Sequence, residues 1–171
     1  MNLVRYLCRF LPLFVIVASV DLCAGELGEH PFFKSITGEW SGEGDLTAAD
    51  GQVIPVREEW TGAETDEGFF EMSGHRMMGD DHQEFRWVFS RNAATELIEC
   101  RYWHTGMDEE LGFEVQLTEK QADLRTPFGE PGGELRISNR FEERKITGEV
   151  EVTEASGITT LTGEVIYQRK S

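Results

Sequence analysis

The chain has 171 residues, of which 32 are acidic and 16 basic, and its net charge is −16 at pH 7. This negative balance repels phosphate backbones, so nucleic acid is not expected as a partner, and it disfavours adhesion to anionic lipid. The acidic residues are scattered along the chain and form no tail, which is typical of a solvated outer surface.

The first 24 residues have the pattern of a secretory signal peptide. Arg5 and Arg9 precede an apolar run over residues 10–18, and Ala24 supplies a small residue at the end of the segment. The apolar run is short for a membrane-spanning helix, which needs about 20 residues. We therefore predict that residues 1–24 are a cleaved signal and that the protein is secreted or periplasmic. An uncleaved N-terminal anchor is the alternative.

Cysteine usage predicts a protein without disulfides. Cys8 and Cys23 lie in the predicted signal, so Cys100 has no partner in the rest of the chain. Lipid attachment at Cys23 is not expected, because Leu22 stands where lipoprotein signals carry a small residue. Residues 25–171 have a suitable length for one domain that is held together by a single core.

After a short helix predicted over residues 29–35, with Pro31 near its start, the chain alternates apolar segments with turn residues. Alternation between two faces is the pattern of strands. The connections are too short for parallel crossovers, so neighbouring strands should be antiparallel. We predict ten strands, at approximately 36–46, 53–62, 68–78, 84–90, 97–104, 111–118, 123–128, 134–141, 146–153 and 159–169.

An open sheet of this kind would leave two exposed edges, and closure into a barrel removes them. The segment 146–153 alternates apolar and polar residues, which indicates one buried and one wet face. The predicted fold class is therefore all-β, an up-and-down antiparallel barrel of eight to ten strands with a short N-terminal helix.

The first strand carries the stretch Ile36 to Gly44, "ITGEWSGEG", in which glycines and a tryptophan recur at every second position. This alternation places Gly38 and Trp40 on the inward row. We predict that Trp40 plugs the closed end of the barrel, while the glycines let a neighbouring backbone come close or let the strand bend.

The tripeptide Gly38-Glu39-Trp40 resembles the Gly-x-Trp signature of lipocalins and the wider calycin superfamily. The preceding His30-Pro31 is similar to the start of a group of secreted bacterial lipocalin-like domains of unknown function. The resemblance implies that Arg169, near the end of the last strand, packs across Trp40. It also implies a calycin barrel with an internal cavity and no established activity. The second lipocalin signature, a Thr-Asp-Tyr segment, is absent.

Three strands indicate what lines the cavity. Phe85, Trp87 and Phe89 share one face, and the more apolar faces of the two strands before them carry Glu58 and Arg76 inward. A buried charge is costly unless it is paired, so Glu58 and Arg76 are predicted either to form a structural ion pair or to anchor the polar headgroup of a ligand.

Either face of the strand 97–104 can point inward. One face carries Cys100 and Tyr102, the other Arg101. We prefer the first, which is less charged and makes Cys100 a small buried hydrophobic residue. If the second face points inward, Arg101 becomes a candidate for binding a carboxylate through its bidentate guanidinium.

No pattern predicts catalysis, a metal or a cofactor. His75 and His82 flank a hairpin turn, but their spacing matches no ligand pattern for a metal. Some barrels of the resembled superfamily bind haem through a late histidine, and no histidine follows His104. A nucleophile elbow and a phosphate-cradling loop are also absent from the sequence.

We therefore predict a monomeric, non-enzymatic barrel that binds a small amphipathic or hydrophobic molecule. The alternative is a non-catalytic structural or protein-interaction module of the cell envelope that uses its acidic exterior. The candidate ligand-binding residues are Glu58, Arg76, Trp87, Arg101 and Tyr102.

Overall fold

A computed structural model describes residues 27–171, so the predicted signal at 1–24 lies outside the described residues. A 3-10 turn, Leu27–Glu29, leads into helix α1, Pro31–Ile36. Within the described part of the chain, no helix is long and apolar enough to cross a membrane. Ten strands follow: β1 Gly38–Ala48, β2 Val53–Glu64, β3 Phe70–Met78, β4 Asp81–Arg91, β5 Ile98–His104, β6 Leu111–Leu117, β7 Gln121–Pro127, β8 Glu134–Glu142, β9 Lys145–Thr153 and β10 Thr159–Arg169.

The strands form one closed antiparallel barrel in which each strand pairs with its sequence neighbours and β1 pairs with β10. The predicted fold class is confirmed, with ten strands. The largest boundary difference is at β4, which begins at Asp81 and not near residue 84. The hairpin before it contains only Gly79 and Asp80, and Gly79 has a φ of 60° that a tight turn requires.

Helix α1 closes one end of the barrel. His30 caps its N-terminus by accepting a hydrogen bond from the backbone N–H of Phe32 at 3.2 Å, and Pro31 occupies the first turn. Phe33 is fully buried and packs against Phe70 and Phe89, with ring centroids 4.6 and 5.2 Å away. Helix α1 therefore covers the end of the barrel at which β1 begins.

The opposite end carries the hairpins that follow the odd-numbered strands, because successive strands run in opposite directions. We call these five loops the far rim. They comprise residues 49–52, 79–80, 105–110, 128–133 and 154–158.

Trp40 lies fully buried where α1 meets the barrel. Its indole N–H donates to the carbonyl of Ile36 at 2.9 Å, and its ring stacks on Trp60. The Arg169 guanidinium lies 5.0 Å from the Trp40 ring centroid and donates to the carbonyl of Ser35 at 2.8 Å. This contact, which the resemblance implied, joins the first and last strands to the helix.

Gly38 supplies the backbone conformation at that junction. Its φ of 112° is disfavoured for residues with a side chain. Glycine thus lets the chain turn from α1 into β1 beneath the arginine.

The β6–β7 ladder is the shortest of the ten. It pairs only Glu114 to Leu117 with Arg125 to Ala122, although β6 begins at Leu111 and β7 continues to Pro127. The last residues of β7, up to Pro127, pair only with β8. A groove on the outside of the barrel lies along this short ladder, which we call the β6–β7 seam. Phe113 lines both the groove and the barrel interior.

Candidate functional site

A cavity of about 220 Å³ lies inside the barrel. Most of its wall is apolar, and Trp87 and Phe113 form part of it with ring centroids 5.5 Å apart. Such a lining suits a molecule with a largely hydrophobic body. The aromatic and polar lining residues are Phe32, Glu58, Trp60, Arg76, Phe85, Trp87, Phe89, Tyr102, Phe113, Asn139, Glu149 and Tyr167.

Glu58 and Arg76 form an ion pair on this wall. The two residues are directly opposite each other in the β2–β3 ladder, and a guanidinium nitrogen lies 3.6 Å from a carboxylate oxygen. Only 11% of the Glu58 side chain and 16% of the Arg76 side chain are exposed. At this depth each charge stabilises the other against the loss of water.

Arg76 has further partners around its guanidinium. It donates to the side-chain carbonyl of Gln83 at 2.9 Å and to the hydroxyl of Tyr102. Its guanidinium carbon also lies 5.7 Å from the Phe85 ring centroid and 5.8 Å from that of Tyr102. Gln83 is fixed in turn by donating to Asp81 at 2.6 Å. The arginine is therefore held in one position.

One donor of this arginine is left over. Among residues 27–171, the Nε of Arg76 is the one buried side-chain nitrogen or oxygen without a hydrogen-bond partner. A buried N–H without an acceptor costs about 1 to 3 kcal/mol. The fold thus tolerates one unpaired donor in this cluster, covered by protein atoms.

Tyr167 completes the polar cluster from the other side of β1. Its hydroxyl donates to Glu58 at 2.6 Å, although β1 lies between the two strands that carry them. Gly42 is paired with Glu58 on one side and with Tyr167 on the other. A Cβ on Gly42 would lie 2.2 Å from the tyrosine ring, so glycine is what lets the ring cross the strand.

Burial sets the protonation of the cluster. It raises the pKa of the Glu58 carboxyl, against the opposing effects of the Arg76 charge and the Tyr167 hydrogen bond. Burial also raises the pKa of the Tyr102 phenol, and it raises that of Tyr167 well above its ordinary value with help from the Glu58 charge. Both phenols therefore keep their protons at neutral pH and can act as donors.

The predicted site residues divide into two groups. Glu58, Arg76, Trp87 and Tyr102 all line the cavity, and the Trp87 and Tyr102 rings are 4.1 Å apart. Arg101 does not line it. Its side chain is 59% exposed and pairs on the outside with Glu110 at 3.6 Å.

The assignment of Arg101 to the ligand site is therefore corrected. Strand β5 turns Cys100 and Tyr102 inward, and residues adjacent in a strand face opposite sides of the sheet. Burial raises the pKa of the Cys100 thiol well above its ordinary value, so this residue is a packed hydrophobic side chain.

Sequence reasoning missed Tyr167, Gln83 and Asn139 as cavity or cluster residues. Tyr167 shares the inward face of the last strand with Val165, and a buried phenol usually finds a hydrogen-bond partner. That rule could have signalled its role. Gln83 lies before the predicted start of its strand, so its face could not be assigned.

The histidines form no metal centre in the described structure. His75 and His82 stack with centroids 5.9 Å apart on the outer face. Within residues 27–171, no group of three or more histidine, cysteine, aspartate or glutamate side chains is placed to hold a metal ion.

Comparison with known proteins gives similarity in structure and none in sequence. No protein-family model matches the chain, and no curated protein matches it. The crystal structure of Rv2717c from M. tuberculosis is similar, with a TM-score of 0.57 and 13% identity over 80% of this chain and 94% of that one. The S-type phycobiliprotein lyase CPES from Guillardia theta has a TM-score of 0.55 and 12% identity over 82% of this chain and 91% of that one. These likenesses show the fold, a ten-stranded calycin-like barrel.

Proposed function

We propose that this protein binds one compact, largely apolar small molecule inside the barrel, with the polar end of that molecule at Arg76 and its neighbours. The observation that carries the proposal is the unfilled space of about 220 Å³ beside Trp87. The ion pair is also structural, because Glu58 compensates the arginine whether or not a ligand is bound.

The size of the cavity supports a binding role. Protein interiors are normally close-packed, with few voids larger than a water molecule. A space of about 220 Å³ is therefore unusual inside a domain of this size, and a bound molecule would supply the packing contacts that its lining lacks.

The packing disfavours the alternative of a purely structural or protein-interaction module, which predicts a filled core. The end closed by α1 is filled, since Phe32, Phe33 and Trp40 are almost completely buried there. The same chain leaves the middle of the barrel unfilled, so the space does not reflect a lack of large side chains.

Native mass spectrometry of the protein purified from its own compartment tests the proposal. We expect a fraction of the protein to carry a noncovalent small molecule that is lost on denaturation. The full chain with Val150→Phe, which places a ring in the cavity, should lose that molecule while its circular dichroism spectrum is retained.

A matched control is Val53→Phe, the same change at a position that is 56% exposed outside the barrel. It should leave the bound molecule in place. A bound molecule that persists in Val150→Phe, or a native protein that carries none and takes up no apolar probe, would contradict an interior binding site.

The proposal extends to location: we expect the protein to act outside the cytoplasm. The support is the basic, apolar and small-residue pattern of residues 1–24. N-terminal sequencing of the protein from the secreted or periplasmic fraction should give a chain that begins near Gly25. A chain that retains its initiating methionine in the cytoplasmic fraction would contradict this.

A further inference from the structure

Strand β6 is the least paired strand of the described barrel. Its ladders with β5 and β7 are the two shortest, and Leu111 to Phe113 have ladder partners only in β5. On the other side of the β6–β7 seam, Thr126 and Pro127 have ladder partners only in β8. Two strand ends therefore face each other across the seam without pairing.

The outer groove at this seam reaches the lining of the cavity. Phe113 lines both, and its ring centroid lies 5.5 Å from that of Trp87. Cys100, the partner of Phe113 in the β5–β6 ladder, is also buried and also lines the groove. The outer face is uncovered at the preceding residue, because a Cβ on Gly112 would meet no atom of a non-neighbouring residue within 4 Å. The side chain of Phe113 therefore lies between the cavity and the groove.

The two ends of the barrel are less suitable as entrances. At the α1 end, Phe32, Phe33 and Trp40 are almost completely buried and fill the interior. At the opposite end, the cavity lining includes no residue of the five described far-rim loops, and Met107 of that rim packs against the core. Entry at the α1 end would displace packed rings, and the lining at the other end offers no loop residue to move aside.

A second outer groove shows that proximity to the cavity is not sufficient for an entrance. Glu149 and Val150 of β9 line both this groove and the cavity. Every residue of β9, from Lys145 to Thr153, is however paired with β8, and the β9–β10 ladder is long as well. Local opening there would break a complete ladder, whereas the ladder at the seam already ends at Glu114 and Arg125.

We propose that small molecules enter and leave the cavity between β6 and β7, where the terminal pair of Glu114 and Arg125 parts and Phe113 moves aside. This inference rests on the proposed function and adds the route to the same site. The hairpin at residues 118–120 stays closed, so the seam opens from its far-rim side. Because this route lies outside the binding contacts, obstructing it should change both rate constants of binding by the same factor and leave the affinity unchanged.

A disulfide across the terminal pair tests this route. Glu114→Cys with Arg125→Cys places two thiols at directly opposite positions of the ladder. The Cα atoms of such a pair lie about 4.5 to 5.5 Å apart, which is within the range that a disulfide bridges. The variant is made in the full chain with Cys8, Cys23 and Cys100 replaced by alanine, so that no other thiol competes.

Iodobenzene is a suitable probe, because benzene already fits an apolar cavity of about 150 Å³. Its iodine quenches the fluorescence of a nearby tryptophan such as Trp87, so stopped-flow fluorescence gives both rate constants. With the disulfide formed, we expect association and dissociation to slow at least about tenfold, while the dissociation constant changes less than about twofold. Reduction of the disulfide should restore both rates.

The matched control is a disulfide on the outer face of β8 and β9. Arg136 and Glu151 are also an arginine and a glutamate at directly opposite positions, but in a ladder that includes every residue of β9. They line the second groove and not the cavity. Arg136→Cys with Glu151→Cys in the same alanine background should leave both rates unchanged.

Gly112→Phe tests the route without a disulfide. The new side chain would fill the outer groove, where a Cβ meets no clash, and should also slow both rates. Val53→Phe adds a ring at a position of β2 that is exposed outside the barrel, and it should slow neither.

Two results separate this inference from the proposed function. If iodobenzene binds but neither the seam disulfide nor Gly112→Phe slows it, or if both disulfides slow it equally, the route is overturned and the binding cavity stands. Failure of iodobenzene to bind the folded native protein overturns the proposed function and this inference together.

Discussion

Arg169 and Arg76 each place a guanidinium beside aromatic rings, at two different levels of the barrel. Arg169 lies 5.0 Å from the Trp40 ring centroid at the closed end and bonds the carbonyl of Ser35. Arg76 lies 5.7 Å from the Phe85 centroid in the middle of the barrel and keeps a buried N–H without an acceptor. The same kind of contact completes the structure in one place and leaves a donor beside a cavity in the other.

This comparison separates the closed end of the barrel from the level of the cavity. At the closed end, aromatic side chains fill the interior of the barrel. In the middle of the barrel, a few polar groups are held in fixed positions around an unfilled cavity. Substitutions at the two levels should therefore differ in what they change.

The largest effect is expected at the closed end. Trp40→Ala would leave a void beneath Arg169 and remove the stack on Trp60, and core changes of this kind cost about 3 to 5 kcal/mol. Urea denaturation followed by circular dichroism measures the loss. A cost below about 1 kcal/mol would show that Trp40 does not hold the closed end together.

The second effect concerns the buried pair. Arg76→Met leaves the Glu58 carboxylate without its cation, and breaking such a pair costs about 3 kcal/mol or more. The double change Arg76→Met with Glu58→Leu removes both charges and should recover part of that cost. If the two single costs add up in the double variant, the two side chains are not coupled.

The third effect is a pH dependence in the middle of the barrel. The pKa of Glu58 is raised above its ordinary value near 4.5, so the folded chain holds this proton more tightly than the unfolded chain does. The resulting stabilisation is complete below the ordinary value and is lost as the pH rises through the folded pKa, by at most about 1.4 kcal/mol per pH unit. The stability advantage of the native protein over Glu58→Gln should therefore fall from pH 4 to pH 7.

Glu59 provides the matched control for that titration. It is exposed on the outer face, and its hydrogen bond to Lys170 lowers the pKa of its carboxyl. The advantage of the native protein over Glu59→Gln should rise with pH, and a rising trend for Glu58→Gln would contradict the assigned direction.

The fourth effect is smaller, because Arg169 lies at the surface. Arg169→Met removes one cation over a ring and one hydrogen bond, together worth about 1 kcal/mol. The melting temperature should fall by a few degrees while binding of an apolar probe is unchanged. Loss of binding in this variant would show that the two levels are not independent.

The smallest effect is expected at Arg101. Its ion pair with Glu110 is exposed at both partners, and such pairs contribute about 0 to 1 kcal/mol. Arg101→Met should change the free energy of unfolding by less than about 0.5 kcal/mol and should not change probe binding. A clear loss of binding would restore Arg101 as a ligand residue.

The sequence predicted the barrel well because its signals are local. Alternation and turn residues place each strand, and the row that contains Gly38 and Trp40 identifies the strand that meets the helix. The more apolar faces of β2 and β3 carry Glu58 and Arg76 inward, and a short hairpin fixes the register that brings them together.

The rest of the site depends on contacts that are not local. Tyr167 reaches Glu58 across an intervening strand, which requires knowing that β10 closes on β1 and that Gly42 lies between the two side chains. Arg101 stayed a candidate because β5 carries large side chains on both faces, and the preferred face, with Cys100 and Tyr102 inward, is the one found. Neither the unused Arg76 Nε nor the cavity volume has a signal in the sequence.

The short β6–β7 seam has a kinetic consequence. Local opening of the barrel should begin at the ladder with the fewest residue pairs, which is β6–β7. The backbone amides of residues 111–113 should therefore exchange with solvent before those of β1. Phe113 faces the cavity from β6, so movement there would uncover the interior from the side. Under the proposed binding function, the residence time of a bound molecule should follow this local opening.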